Sequence, residues 1–342
     1  MPDRICIVMM SAVGDAVHVL PVINALKRAN AAARITWVLQ PGAAALVRGH
    51  RSIDEIVIFD RARGWRAFSS IREELSRREF DLVINLQVYF KAGLVTAFTR
   101  APVKLGFDRA RARDFNWLVT NRKIAARPMQ HVQDQYFEFL SALGASPEPV
   151  EWDLGPWPDE RAWRDDFASS FSRPVASIVV GTSKPEKDWL PERWAGVADA
   201  LHDDFGMDVV LVGGNSDREA EAARIVTERS SRKPRSELGS GLRRLVSILD
   251  ASALVLSPDT GPLHISVALE RPVISLMGYT NPKRTGPYRK YHDLIVDAYG
   301  DPGEVYPISM ENRPGRMRLI ETKHVLEKVD LWKQGYSARR RS

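Results

Sequence analysis

Short apolar runs alternate with amphipathic stretches along the first half of the chain. The run at residues 4–9 predicts a buried strand, and apolar residues recur at helical spacing over 16–29. A longer amphipathic stretch at 131–143 predicts a helix that ends at Gly144. Further strand runs are predicted at 35–39, 55–59, 82–86 and 103–107. This alternation of strand and helix is typical of βαβ units in a parallel sheet.

The second half repeats the pattern after a proline-rich interval. Residues 145–158 carry four prolines with almost no periodicity and are predicted to link two domains. Strand runs follow at 175–180, 208–212, 253–257 and 272–277, with helical stretches at 192–205, 217–229 and 242–249. We therefore predict an α/β protein with two doubly wound parallel-sheet domains, 1–150 and 151–320, and then a C-terminal helix and basic tail, 321–342. Two such lobes imply a cleft, and the loops after each strand are where ligands bind.

The composition is that of an ordinary globular protein. Hydrophobic residues make up 44% of the 342 residues and charged residues 27%, which excludes a disordered or collagen-like chain. The single cysteine, Cys6, excludes a disulfide scaffold and a cysteine-cluster zinc site. The apolar start, residues 5–20, is interrupted by Asp15 and His18, is too short for a membrane span and lacks the features of a signal peptide. We therefore expect a cytoplasmic protein.

Positive charge is concentrated in the first half. Residues 1–147 carry 21 lysines and arginines against 13 aspartates and glutamates, whereas the whole chain carries 49 against 43. The basic residues form two clusters, Arg61, Arg63 and Arg66, and Arg109, Arg111 and Arg113. The excess predicts an anionic partner: nucleic acid, an anionic membrane surface, or a phosphorylated or carboxylated substrate. A solvated face accounts equally well for any one of these arginines.

The turn after the first strand puts a carboxylate at the start of a helix. In Met10-Ser11-Ala12-Val13-Gly14-Asp15, one glycine stands where a dinucleotide fingerprint has three, and no Walker-type lysine follows. Neither NAD nor P-loop nucleotide binding is therefore indicated. Asp15 either caps the helix or acts as a general base on an acceptor hydroxyl.

The most informative local signal is Ser257-Pro258-Asp259-Thr260-Gly261-Pro262-Leu263-His264, which follows a strand and opens a helix. Pro262 suits the first helical position because it has no backbone N–H. Thr260 and Gly261 leave backbone N–H groups at a helix N-terminus, a site that suits a phosphate or diphosphate. His264, in the first turn, can donate a hydrogen bond to the same anion; the alternative is a structural histidine.

Two further loops carry polar groups at strand ends. In the loop 181–189, hydroxyls and lysines such as Thr182, Ser183 and Lys187 can bind a diphosphate. In the glycine-rich turn 213–219, Glu219 can accept hydrogen bonds from ribose hydroxyls. The sequence has no Asp-x-Asp triplet, no His-Glu-x-x-His motif and no paired cysteines, so no metal is predicted to hold the diphosphate. A helix N-terminus, a lysine and a histidine would stabilise the negative charge of the diphosphate instead.

Together these motifs resemble those of the bacterial ADP-heptose:lipopolysaccharide heptosyltransferases, glycosyltransferase family 9. The matching motifs are Ser11-Ala12-Val13-Gly14-Asp15, Lys187-Asp188-Trp189 with Trp194 behind it, Asp259-Thr260-Gly261-Pro262-Leu263-His264, and Met277-Gly278-Tyr279-Thr280-Asn281-Pro282-Lys283-Arg284-Thr285-Gly286-Pro287-Tyr288. The resemblance extends over residues 4–330. It implies a GT-B fold of two Rossmann-like domains facing a central cleft, an ADP-heptose donor, and an inverting reaction that needs neither metal nor cofactor.

The resemblance also implies roles for individual residues. Asp15 is the implied general base, and Lys187 is the second implied catalytic residue. The implied donor-binding residues are Thr182, Ser183, Glu219, Asp259, Thr260, Gly261 and His264. The implied acceptor-binding residues are Arg61, Arg63 and Arg113. The acceptors of this family are Kdo-bearing lipid A or its heptosylated core, so the implied partner is an anionic lipopolysaccharide precursor reached by transient contact with the cytoplasmic face of the inner membrane.

Other interpretations of the sequence stay open. Some members of the broad family transfer other sugars to other acceptors, and residues 301–318 have no counterpart that can be aligned. A nucleotide-sugar epimerase or hydrolase would use the same scaffold without a polymeric acceptor. A nucleic-acid-binding module is disfavoured because only Phe107, Phe115 and Trp117 flank the second arginine cluster.

Overall fold

Each half of the chain folds around one parallel β-sheet. The structure is a computed structural model that describes residues 2–337, so the basic tail predicted around residues 339–341 lies outside the described residues. The chain divides into two compact units, Met1–Leu154 and Gly155–Ser342. None of the helices formed by residues 2–337 is long and apolar enough to cross a membrane.

The first unit alternates strands and helices. Its strands are β1 (Arg4–Val8), β2 (Arg34–Leu39), β3 (Glu55–Ile58), β4 (Leu82–Asn85), β5 (Val103–Gly106) and β6 (Arg122–Lys123). Its helices are α1 (Val13–Ala29), α2 (Pro41–Val47), α3 (Trp65–Ser76), α4 (Phe90–Phe98) and α5 (Val132–Ala142). The strand order is β3-β2-β1-β4-β5-β6, so the direction of winding reverses between β1 and β4. Ligands of doubly wound sheets bind at such a reversal.

The second unit has the same topology. Its strands are β7 (Val175–Val179), β8 (Asp208–Val212), β9 (Arg235–Ser236), β10 (Leu254–Pro258), β11 (Val273–Met277) and β12 (Ile295–Asp297). Its helices are α6 (Pro158–Ser169), α7 (Pro191–Asp203), α8 (Asp217–Arg229), α9 (Leu242–Ala251), α10 (Gly261–Ala268), α11 (Pro282–Thr285) and α12 (Thr322–Gly335). The order β12-β11-β10-β7-β8-β9 puts the reversal between β7 and β10. The predicted α/β class with two doubly wound parallel sheets is confirmed.

Two segments depart most from their predicted bounds. Helix α1 begins at Val13 rather than at residue 16, so Asp15 lies inside its first turn, and Pro21 lies within the helix without ending it. The first part of the predicted linker packs on the first unit. Asn24 donates a 2.7 Å hydrogen bond to the carbonyl of Glu151, and the carbonyl of Trp152 accepts one of 3.0 Å from His50. These contacts hold that part of the linker through backbone atoms, which leave no periodic signal in the sequence.

Residues 301–318 fold against the loop that follows β11. Arg313 pairs with Glu304 at 2.7 Å and lowers the pKa of that carboxyl to about 2. Arg316 pairs with Asp301 at 2.6 Å. The backbone N–H of Arg313 also donates a 2.9 Å hydrogen bond to the carbonyl of Tyr279. Ion pairs therefore brace residues 301–318 internally, and hydrogen bonds such as that from Arg313 to Tyr279 tie them to the loop after β11.

Candidate functional site

A buried ion pair joins two loops at the carboxyl edge of the second sheet. The Nζ atom of Lys187 lies 2.6 Å from Oδ2 of Asp259 and 3.3 Å from the carbonyl oxygen of the same residue. Lys187 is in a 3₁₀ turn after β7, and Asp259 directly follows β10. Because β7 and β10 are neighbours across the reversal, the pair lies where this topology binds ligands.

The Asp259 carboxylate is the centre of a polar cluster. Its side chain is only 7% exposed, Oδ2 also accepts a hydrogen bond from the hydroxyl of Thr280, and Oδ1 lies 3.8 Å from Nε2 of His264. Burial acts to raise the pKa of this carboxyl, but the charges of Lys187 and His264 and the hydrogen bonds outweigh burial and lower the pKa. Asp259 is therefore an anion at neutral pH, held by a cation and a hydroxyl.

The N-terminus of α10 lies beside this cluster. Thr260 precedes the helix in extended conformation, and its side chain does not cap the helix. The helix opens with Gly261 and Pro262, and His264 lies in its first turn with 7% of its surface exposed. The first N–H groups of a helix have no partner within the helix and carry partial positive charge. Together with the Lys187 ammonium they form a site that can bind a phosphate or diphosphate.

The loop after β7 is held by its own polar groups. The backbone N–H and the hydroxyl of Thr182 both lie 2.8 Å from Oδ1 of Asp188, and that hydroxyl is 2.7 Å from the carbonyl of Lys184. Arg218, in the first turn of α8, donates to Oδ2 of Asp188 at 2.6 Å and to the carbonyl of Thr182. Thr182 is buried within the loop, whereas Ser183 is exposed. The two hydroxyls predicted as equivalent ligands therefore differ: only that of Ser183 faces solvent.

Glu219 organises the turn from which it was predicted to bind ribose. It is the third residue of α8, where Oε1 accepts from the N–H of Gly214 at 2.7 Å and Oε2 from the hydroxyl of Ser216 at 2.6 Å. Its Cγ lies 2.6 Å from the position of a Cβ on Gly181, so only glycine fits there. Glu219 therefore joins the loops after β7 and β8, and its oxygens retain further acceptor directions for a ligand hydroxyl.

In the first unit, Asp15 lies in the first turn of α1, just after β1. Its Oδ2 accepts a 2.9 Å hydrogen bond from the N–H of Ala12, and its Oδ1 accepts one of 3.1 Å from the hydroxyl of Tyr136 on α5. Tyr136 is 5% exposed, whereas Asp15 is half-buried. The carboxylate thus does cap the helix start, and a buried hydroxyl fixes its second oxygen.

Gln87 ties the turn before Asp15 to the end of β4. Its Oε1 accepts from the N–H of Met10 at 3.0 Å, and its Nε2 donates to the carbonyl of Ser11 at 2.8 Å. The carbonyl of the next residue, Val88, accepts a 2.9 Å hydrogen bond from the N–H of Arg113. A continuous set of hydrogen bonds therefore crosses the reversal of the first sheet, from the turn after β1 to the loop after β5.

The three predicted acceptor arginines lie at this same edge but not together. Arg113 is exposed in the loop after β5 and is connected to the Asp15 turn through Gln87. Arg61 and Arg63 are exposed in a 3₁₀ turn after β3. Since β2 separates β3 from β1, that turn is about 10 Å from the end of β1 along the sheet. The arginines flank the carboxylate on two sides.

Sequence reasoning missed three residues of these clusters. Gln87 directly follows a predicted strand. The rule that ligands bind in the loops after strands, which selected the other loops, therefore also selects Gln87. Thr280 lies inside the motif 277–288. Tyr136 is 121 residues from Asp15 and carries no local signal. Within residues 2–337, no group of three or more His, Cys, Asp or Glu side chains is placed to hold a metal ion.

Two doubly wound domains, one with an anion site at a helix N-terminus and the other with a carboxylate at the start of a helix, fit the GT-B class of glycosyltransferases. Residues 68–305 match glycosyltransferase family 9 (heptosyltransferase), which spans well over half of the chain. The chain belongs to this family.

Individual relatives are consistent with this membership. The lipopolysaccharide core heptosyltransferase OpsX of Haemophilus influenzae is 32% identical over 299 residues, 87% of this chain and 85% of the relative. The crystal structure of a family 9 glycosyltransferase from Veillonella parvula has a TM-score of 0.81 at 23% identity, over 96% of both chains. The E. coli heptosyltransferase WaaC, solved with ADP, has a TM-score of 0.73 at 24% identity over 98% of this chain and 99% of WaaC. The solved structures share the fold.

Proposed function

We propose that this protein transfers heptose from ADP-heptose to a hydroxyl of the Kdo- and heptose-containing inner core of a lipopolysaccharide precursor, with inversion and without a metal. The observation that carries the proposal is the Lys187–Asp259 pair beside the N-terminus of α10, in a chain of the heptosyltransferase family. OpsX is named for the lipopolysaccharide core, and WaaC was solved with ADP. These relatives supply the donor and acceptor classes.

The donor half of the proposal assigns the diphosphate to the second unit. Lys187 and the backbone at Thr260 and Gly261 bind the diphosphate, and His264 donates to it. As the bond to the sugar breaks, the leaving ADP gains negative charge, which these preorganised groups stabilise. The remaining donor contacts are Asp259 to the heptose, Ser183 to the diphosphate or the sugar beside it, and Glu219 to the ribose, while the predicted ligand Thr182 instead holds the loop through Asp188.

The acceptor half assigns proton removal to the first unit. Asp15 takes the proton from an acceptor hydroxyl as that oxygen attacks the anomeric carbon. The new carbon–oxygen bond forms while the bond to the phosphate oxygen breaks, and ADP leaves with the electron pair. One displacement from the opposite face inverts the anomeric centre. Arg61, Arg63 and Arg113 bind the carboxylates and phosphates of the acceptor.

The acceptor class also indicates where the enzyme works. A lipopolysaccharide precursor is an anionic lipid, so we propose a cytoplasmic enzyme in transient contact with the inner membrane. The excess of positive charge in residues 1–147 supports an anionic acceptor and is compatible with contact with an anionic membrane surface. Another nucleotide sugar or acceptor within the family, and an epimerase or hydrolase on the same scaffold, are the alternatives.

A nucleotide screen by thermal unfolding tests the donor assignment. A ligand that binds only the folded state stabilises it by about 2.7 kcal/mol at a concentration of 100 Kd. We expect ADP to raise the Tm and UDP, GDP and NAD to leave it unchanged at the same concentration. Equal stabilisation by UDP or GDP would show that the site does not select adenine and would reject ADP-heptose as the specific donor.

Removing the Tyr136 hydroxyl tests how Asp15 is positioned. The substitution Tyr136→Phe deletes the donor to Oδ1 of Asp15 and keeps the ring packed. A hydrogen bond to a charged group contributes about 1.5–3 kcal/mol, so we expect kcat to fall about tenfold or more, with the KM for the donor unchanged. Steady-state kinetics with the donor varied at saturating acceptor measures both.

The control for this variant is its combination with Asp15→Asn. If Tyr136 acts through the Asp15 carboxylate, adding Tyr136→Phe to Asp15→Asn lowers kcat no further, because the base that Tyr136 positions is already absent. An equal fall in both backgrounds would mean that Tyr136 only supports the fold of the first unit.

A further inference from the structure

Large apolar side chains are exposed at the carboxyl edge of the first sheet. Trp65 is 83% exposed, Leu118 70%, Phe115 66% and Phe90 56%. They belong to the segments that follow β3, β4 and β5. Soluble proteins rarely expose several large apolar side chains close together unless that surface binds a partner or a membrane.

The fold brings these side chains to one surface. Trp65 is the first residue of α3 and Phe90 the first of α4, so both helices begin at this edge. The two helices pack together, with Arg72 of α3 over the ring of Phe98 of α4 at 6.0 Å. Two hydrogen bonds tie the start of α4 to the loop after β5: Phe90 N–H to Asp114 at 3.5 Å, and Asn116 to the carbonyl of Tyr89 at 2.8 Å.

Exposed cations are interleaved with the apolar side chains. They are Arg61, Arg63, Arg66, Lys91 and Arg109. Within residues 2–337, none of these five forms an ion pair with a carboxylate. The acidic side chains nearby are engaged elsewhere: Asp60 caps the turn through the N–H of Ala62, and Asp108 pairs with Arg111. The carboxylates of Asp60 and Asp114 stay charged in their hydrogen bonds, but the five cations outnumber them, so this face keeps an excess of positive charge.

We name these nine residues the edge surface: Trp65, Phe90, Phe115, Leu118, Arg61, Arg63, Arg66, Lys91 and Arg109. Tryptophan and phenylalanine with flanking lysine and arginine are the side chains that partition to a membrane–water interface, where the cations attract anionic headgroups. Leu118 has no ring for stacking on a nucleic-acid base, so this mixture fits a lipid better than a single strand.

We propose that the edge surface docks the first unit on an anionic phospholipid bilayer. The inference rests on the proposed function, because a lipid-anchored acceptor must be reached at the bilayer, and it names the residues that make the contact. Asp15 follows β1 at the same edge, so docking by this face brings the base toward the headgroup region where the sugars of the acceptor lie.

Co-sedimentation with phospholipid vesicles tests the proposal. The full chain is mixed with vesicles of phosphatidylethanolamine and phosphatidylglycerol, and with neutral phosphatidylcholine vesicles for comparison. We expect Trp65→Ser, Phe115→Ser and Leu118→Ser together to lower binding to the anionic vesicles at least about tenfold. The charge variant Arg66→Gln, Lys91→Gln, Arg109→Gln is expected to lose binding only where phosphatidylglycerol is present.

A matched control removes exposed apolar side chains from the second unit. Val305→Ser with Leu331→Ser, at positions 93% and 41% exposed, is expected to bind vesicles like the wild type. The proposal is wrong if the triple serine variant also binds like the wild type, or if the wild type binds neutral and anionic vesicles equally. It is also wrong if a single-stranded oligonucleotide binds tightly and displaces the vesicles, since the surface would then be a nucleic-acid site.

Activity on two forms of acceptor separates this proposal from the function on which it rests. On a deacylated, water-soluble acceptor, the triple serine variant is expected to keep the wild-type rate, whereas on a vesicle-embedded acceptor its rate falls. Absence of transfer to either acceptor by the wild type contradicts the proposed function and not the docking. Equal rates of variant and wild type on the embedded acceptor contradict the docking alone.

Discussion

Replacing Asp15 by alanine or asparagine is expected to lower kcat by about 10³ while ADP binding stays within about twofold of wild type. A positioned general base contributes about 10²–10⁴ to rate, and the proposed mechanism gives Asp15 no contact with the donor. Steady-state transfer assays give kcat, and titration calorimetry with ADP gives the Kd. Asparagine keeps one oxygen that can accept from the N–H of Ala12, and its amide nitrogen can donate to the hydroxyl of Tyr136, so Asp15→Asn removes the base and keeps the shape of the side chain.

The matched control is Asp3→Asn, just before β1 at the opposite edge of the same sheet. Asp3 is exposed and bonds Asn30 at 2.8 Å, so its loss removes one carboxylate from the first unit without touching the proposed site. We expect wild-type kcat for this variant. If Asp15→Asn retains most of its turnover, another group removes the proton and the assignment of the base is wrong.

Replacing Lys187 by methionine is expected to have the second-largest effect, and it acts on both binding and stability. Losing one preorganised electrostatic contact commonly costs about 10²–10³ in rate, and here the ammonium is also a direct ligand of the diphosphate. Lys187→Met therefore weakens ADP binding as well as lowering kcat. It also leaves the Asp259 carboxylate buried without its cation, and breaking such a pair costs about 3 kcal/mol or more.

The double variant Lys187→Met, Asp259→Asn separates these two effects. Removing both charges relieves the buried carboxylate, so thermal unfolding is expected to return toward the wild-type Tm while activity stays lost. Lys323→Met, on the exposed start of α12, is the charge-matched control and is expected to change neither quantity. Recovery of activity in the double variant would mean that the pair supports the fold and does not bind the donor.

The central strands of both sheets are predictable because they are buried on two faces. The central strands β1 and β10 read as unbroken apolar runs, and their observed bounds lie within one residue of the predicted ones. The outer strands β6 and β9 are two exposed residues each, Arg122–Lys123 and Arg235–Ser236, and carry no such run. They form because the backbone of an adjacent strand supplies their hydrogen-bond partners. That neighbour is set by the tertiary fold and leaves no pattern in the local sequence.

The candidate site was predictable loop by loop but not as a set of contacts. Lys187 and Asp259 are 72 residues apart, and their pairing follows from the strand order rather than from either motif. Tyr136 contacts Asp15 only because α5 packs on α1. Arg218, which fixes the loop after β7 through Asp188, is an ordinary polar residue in sequence and becomes informative only when its partner is known.

Acceptor-dependent release of ADP from ADP-heptose tests the proposed transfer most directly. With a Kdo-bearing lipid A precursor present, the wild type is expected to release ADP and to yield a product heavier by one heptose in mass spectrometry; without the acceptor, ADP release is expected to fall to background. Rapid ADP release without any acceptor, or conversion of ADP-heptose to an isomer, would contradict transfer and identify a hydrolase or an epimerase.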